Sequence, residues 1–134
     1  MNITVEWYNN EKTIIYYKFT LGWTFQEFRD VYQDVYAMLD TVNHTVDAIV
    51  DLTDARMFPK NTLTEMRRLT FEQHENGGIT VIITDSPMSH AMYNFLQSIH
   101  KRFSEVFHLA KTMDEALIIL DAPEMSDTRV KFDD

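Results

Sequence analysis

Apolar and polar residues alternate over Ile3, Thr4, Val5, Glu6 and Trp7, the two-residue period of a strand with one buried face. Residues 9–12 (Asn-Asn-Glu-Lys) are turn formers, and residues 13–20 (TIIYYKFT) are β-branched and aromatic. Together these segments predict a hairpin. The period then lengthens. Phe25, Phe28, Val31, Tyr32, Val35, Tyr36, Leu39 and Val42 recur every three or four residues, which predicts an amphipathic helix with an aromatic core face. Thr24 and Glu27 stand at capping-box spacing at its start.

From here strands and helices alternate. Residues 48–52 (AIVDL) form a short run apolar on both faces, as in a covered parallel sheet. Thr62 and Glu65 form a second capping box, opening a helix with Leu63, Met66, Leu69 and Phe71 inward and Asn76-Gly77-Gly78 as its stop. Residues 79–84 (ITVIIT) are a buried strand. Ser86 caps the next helix, with Pro87 in its first turn and Ala91, Met92, Phe95, Leu96 and Ile99 as its inner stripe. Residues 105–110 are a fifth strand, and Thr112 and Glu115 form a third capping box ahead of a final helix through Leu120. The order ββαβαβαβα predicts an α/β protein with a mixed, mostly parallel five-stranded sheet and four helices. Residues 1–120 read as a single domain. Residues 121–134 are acidic and read as a loosely held tail, unless Val130 and Phe132 add a short strand.

Composition narrows the classes of function. Of 134 residues, 45% are hydrophobic, with nine Phe, six Tyr and two Trp, enough for a substantial core. The net charge of −9 argues against nucleic acid as a partner, because phosphate contacts need clustered Lys and Arg. No apolar run approaches the roughly 20 residues of a membrane span, and the first residues do not resemble a signal peptide. Cys is absent, which excludes disulfides and thiol chemistry within the chain and fits the expected cytoplasmic location.

Three segments resemble the STAS domain, the SpoIIAA-like fold of anti-sigma-factor antagonists: Ala48 to Asp54 (AIVDLTD), Gly78 to Thr84 (GITVIIT) and Phe107 to Leu117 (FHLAKTMDEAL). The resemblance covers roughly residues 3–120 in element order. It implies a regulatory, protein-binding domain. The antagonists carry a phosphorylated Ser before the second helix. Aligning on Asp51 puts Asn61, which has no hydroxyl, at that position. Thr62 is the adjacent hydroxyl, and its Glu65 partner assigns it to helix capping. The resemblance therefore implies the scaffold without the usual phosphoswitch.

In a parallel α/β sheet, ligands gather beyond the carboxyl ends of the strands. The candidates there are Asp51, Thr53 and Asp54, then Asp85, Ser86 and His90, and finally Lys111. An enzyme could use them for acid–base or magnesium chemistry; loop hydrogen bonding by the same residues is the simpler reading. No spacing among the five His makes a zinc motif, and there is no nucleophile elbow or phosphate-binding glycine loop. Lys60, Arg67 and Arg68 form the one basic cluster, which with His74 could receive an acidic partner or phosphate. Met57 and Phe58 lie beside it, with Asn61 and Thr62. The sequence thus favours a non-catalytic interaction domain with a protein partner, that loop and helix as its surface, no catalytic residue, no cofactor and no metal. The alternative is a binder of a small apolar or lipid-like molecule under the aromatic first helix. A small enzyme using Asp51, Asp85 and His90 comes third. A homodimer fits the number of aromatics.

Overall fold

The computed structural model describes residues 1–69, 74–100 and 102–121. Strand β1 (Ile3–Trp7) runs antiparallel to β2 (Ile14–Thr20), with Ile3 opposite Phe19 and Trp7 opposite Ile15. Strands β2, β3 (Val46–Asp54), β4 (Gly77–Ile83) and β5 (Phe107–Ala110) are mutually parallel in the order β1-β2-β3-β4-β5. The chain is therefore α/β with a mixed, mostly parallel five-stranded sheet, as the alternating pattern predicts.

Because consecutive parallel strands are neighbours, right-handed crossovers carry the connecting helices to one face. These are α1 (Phe25–Leu39), α2 (Thr62–Leu69) and α3 (Pro87–Ile99). On this face Ile15, Tyr17 and Phe19 of β2 meet Val31, Val35 and Leu39 of α1. The opposite face is covered by α5 (Met113–Ile119), where Ala116 and Leu117 pack with Ile49, Val81, Ile83 and Ala110. Ile14 of β2 is buried in the same cluster.

Local chemistry sets the helix starts. Thr24 and Thr112 accept hydrogen bonds from the N–H groups of Glu27 and Glu115, each at 3.1 Å. Glu27 accepts the Asn2 N–H at 2.8 Å, and Glu115 accepts the Lys111 N–H at 2.9 Å. The Thr half of each of these boxes thus forms, while each Glu takes an N–H other than that of its cap residue. The third predicted box does not form. Thr62 is the first residue of α2 and its hydroxyl donates to the Pro59 carbonyl, while Glu65 pairs with Arg29 at 2.8 Å. Ser86 occupies the cap position of α3, but its side chain makes no capping bond among the described residues.

Other expectations are also corrected. Gly77 and Gly78 open β4 instead of ending a helix. A Cβ on Gly78 would come within 2.1 Å of Asp47 Oδ1, so the residue is small because another strand's side chain passes it. The segment before β5 is not all strand: Phe103–Val106 forms a fifth helix, α4, of one turn. Helix α3 is rotated from the predicted stripe. Leu96 is buried as predicted, but Ala91 and Ile99 are exposed and Ser89, outside the predicted stripe, is buried. Leu63 is exposed on α2. Phe71, the side chains of Met66 and Leu69, and the proposed tail beyond residue 121, including Val130 and Phe132, lie outside the described residues. No helix among the described residues is long and apolar enough to cross a membrane.

Candidate functional site

The strand-end residues separate into small networks. Side chains of β2 at even positions and β3 at odd positions share the face opposite α1, which places Tyr16, Lys18 and Asp51 together. The Tyr16 hydroxyl donates to Asp51 Oδ2. Lys18 Nζ lies 3.5 Å from the same oxygen and 3.0 Å from Asp54 Oδ2. Asp51 Oδ1 accepts from the Thr53 N–H at 2.9 Å and from the Thr53 hydroxyl at 2.5 Å. Burial opposes ionisation of Asp51. The hydrogen bonds from Thr53 and Tyr16, with the Lys18 charge, outweigh it and hold the carboxyl below its usual range. Burial, and then the bond to Asp51, raises the Tyr16 phenol. The bond to Asp54 raises Lys18 despite some desolvation. A carboxylate held ionised by four donors is a structural anchor; a general base instead needs a free lone pair and a pKa nearer neutrality.

Asp85 belongs to a different network, 3.3 Å from Arg56, and both are exposed. Ser86 is buried, with its N–H donating to Thr84 Oγ1 at 3.1 Å. His90 is half-buried in the first turn of α3, and Lys111 is exposed. Asp51 and Asp85, which the sequence reading grouped with His90, are bonded into separate networks.

The loop before α2 splits into two sides. Met57 (68% exposed), Lys60, Asn61, Arg67 and Arg68 face solvent. The Arg67 guanidinium lies 5.5 Å from the centre of the Phe95 ring on α3. Phe58 and Thr62 turn inward, and Thr62 is only 6% exposed. Asn61 has φ of 67°, a conformation Asn tolerates better than most residues. His74 does not extend this basic surface: its Nε2 is 2.7 Å from Asp40, and its Nδ1 accepts the Asn76 N–H at 2.9 Å.

The inward side opens onto apolar space between the sheet and the helices. One cavity of about 170 Å³ lies along α1 beside Tyr17, Tyr32 and Tyr36. A second, of about 130 Å³, lies between Trp23, Phe58 and α3. Phe28, Val50, Thr80 and Phe107 line both, so the two adjoin. Two residues that line the second cavity hold polar atoms that are sealed from it. Trp23 Nε1 and Ser89 Oγ are buried, in residues each 6% exposed, and neither has a hydrogen-bond partner among the described residues. An unmatched buried polar group costs about 1–3 kcal/mol.

The sequence reading named the aromatic face of α1 but missed Trp23 and Ser89 as members of one site. A signal for each was present. Trp23 precedes the Thr24 cap and Phe28 follows in the second turn, the spacing of a hydrophobic staple, and their ring centres are 6.5 Å apart. Ser89 shares a helical face with Met92 and Leu96. No family model, curated protein or solved structure matches the chain.

Proposed function

We propose that the protein is a non-catalytic, STAS-like interaction domain that binds an acidic protein partner through the β3–α2 loop and the exposed side of α2. The observation carrying this reading is the contrast between neighbouring loops. The strand-end carboxylates Asp51, Asp54 and Asp85 each have cationic neighbours within the chain. Met57, Lys60, Arg67 and Arg68 instead present an apolar and basic surface to solvent on a chain of net charge −9. The element order and the single antiparallel edge strand support the STAS-like scaffold. A phosphoswitch is disfavoured at this site. Asn61 offers no hydroxyl, and the Thr62 hydroxyl is buried and donating to Pro59.

Affinity capture from lysate of the source cells, comparing wild type with the Lys60→Glu, Arg67→Glu, Arg68→Glu triple variant, tests this reading. A species retained by wild type and lost from the triple variant supports it. Equal retention by both moves the partner surface elsewhere. A second reading, a binder of a small apolar ligand, is favoured by the adjoining cavities under α1 and α3.

A further inference from the structure

Helices α2 and α3 contribute no described member to the buried cluster on the α1 face, which is built from the strands, α1 and the segments beside it. Space is left beside α1 and under α3, and it takes the form of the two adjoining cavities. Their shape is long. The first is lined by α1 from Phe28 to Leu39, three turns of helix and roughly 16 Å at 1.5 Å per residue. The second continues past the shared residues Phe28, Val50, Thr80 and Phe107 to Trp23 and Phe58. Those four shared residues are the neck between the two.

Volume and charge define the occupant. The cavities of about 170 and 130 Å³ are together about double the ~150 Å³ engineered cavity that holds one six-carbon benzene, which leaves room for roughly ten to twelve carbons. An unfilled apolar cavity costs stability in proportion to its volume, so a hydrocarbon that fills it is held by recovered contacts. The described walls include no Lys or Arg. His74, their one basic residue, has its ring nitrogens engaged by Asp40 and the Asn76 N–H. An ionised carboxylate would therefore lose its hydration with no free cation to meet it. We infer that the two cavities are one site for a single linear, uncharged alkyl chain of about ten to twelve carbons that passes the neck. The inference rests on the apolar-ligand reading above and adds to it the shape, length and charge of the ligand.

The test titrates the full chain with 1-hexanol, 1-octanol, 1-decanol, 1-dodecanol and decanoate, each below its solubility limit. Affinity is expected to rise about fourfold for each added methylene and to level off near ten to twelve carbons. The chain has two Trp, so Trp7→Phe leaves Trp23 as its single indole. Decanol is expected to shift the Trp23 emission. Decanoate is expected to bind at least tenfold more weakly than decanol. Val50→Phe and Thr80→Leu each enlarge a neck residue, and circular dichroism identifies which of them fold. Either one is expected to weaken decanol at least tenfold and to leave hexanol within about twofold of wild type. An affinity that stops rising at hexanol, an unchanged Trp23 emission with decanol, or folded neck variants that bind decanol like wild type would overturn the single continuous site and leave the apolar-ligand reading standing. Failure of every alcohol to bind would overturn that reading with it. Decanoate binding as tightly as decanol would overturn the requirement for an uncharged chain.

Discussion

The phenolic hydroxyl of Tyr16 on β2 donates to Asp51 Oδ2 on β3, on the face of the sheet that α1 does not cover. The two residues are diagonal neighbours, because Tyr16 stands opposite Ile49 and Lys18 opposite Asp51. This bond has a consequence for acid stability. The folded state holds the Asp51 carboxyl below its usual value, so between the two values the unfolded chain binds more protons. The contribution of Asp51 is complete above about pH 4, the ordinary carboxyl value, and is lost as pH falls through the lower folded value. Tyr16→Phe is expected to cost about 1–2 kcal/mol at pH 7, with the loss shrinking at pH 3. Urea unfolding at the two pH values checks this. An equal loss at both would show that the hydroxyl contributes packing alone.

Two of the three Thr-x-x-Glu sequences cap helices, and these carry the second prediction. Thr24 and Thr112 have extended backbones, with φ of −125° and −140°, and their oxygens accept the N–H three residues on. Replacing either by Ala is expected to cost about 1 kcal/mol. Thr62→Ala should behave differently. Thr62 lies one position inside the helix, lines the second cavity and bonds to Pro59, so its loss enlarges an apolar space and removes no cap. Thermal melts with and without a bound apolar probe separate the two cases. Only Thr62→Ala should change the ligand-induced stabilisation.

That pattern shows what could be read from the chain. The strands and long helices were legible because periods of two and three to four residues reflect one-sided burial directly. The Thr62 box was misread because capping depends on the backbone angle of the entering residue, and Asn61 enters with φ of 67°. Gly77-Gly78 was misread because a glycine stop and a glycine at a close strand approach are identical in sequence. The networks of Asp51 and Asp85 follow from register and loop geometry, which no local pattern encodes. The cavity was hidden for another reason. It is the space left where helix and sheet side chains fail to meet, and Trp23 and Ser89 are sixty-six positions apart in the chain.

Asn61 occupies a place where backbone conformation outweighs side-chain chemistry. Its φ of 67° is unfavourable for most L-residues by roughly 1–2 kcal/mol, and Asn is among the better tolerated. Asn61→Gly is therefore expected to be near neutral in stability. Asn61→Ser restores a hydroxyl at the aligned acceptor position of the STAS resemblance and is expected to cost about 0.5–1 kcal/mol. Urea melts of the two variants decide this. A stable Ser variant and a destabilised Gly variant would refute the conformational account.

Gly78 and Asp47 give the sharpest test of strand packing. A Cβ at position 78 would stand 2.1 Å from Asp47 Oδ1 and 2.9 Å from Thr45 Cγ2, both closer than such atoms can approach. Asp47 Oδ1 also accepts the Ile79 N–H at 3.0 Å, so displacing the carboxylate removes a bond that joins β3 to β4. Gly78→Ala is expected to cost about 1–3 kcal/mol, the usual range for overpacking. Asp47→Ala removes the nearer obstruction and the acceptor, leaving Thr45 Cγ2 in place, and is expected to cost about 1 kcal/mol. Because the first substitution acts through Asp47, the double variant should lose clearly less than the sum of the singles. A double-mutant cycle in urea measures the difference. Additive losses would show that Gly78 is required for its backbone and not for the passage of Asp47.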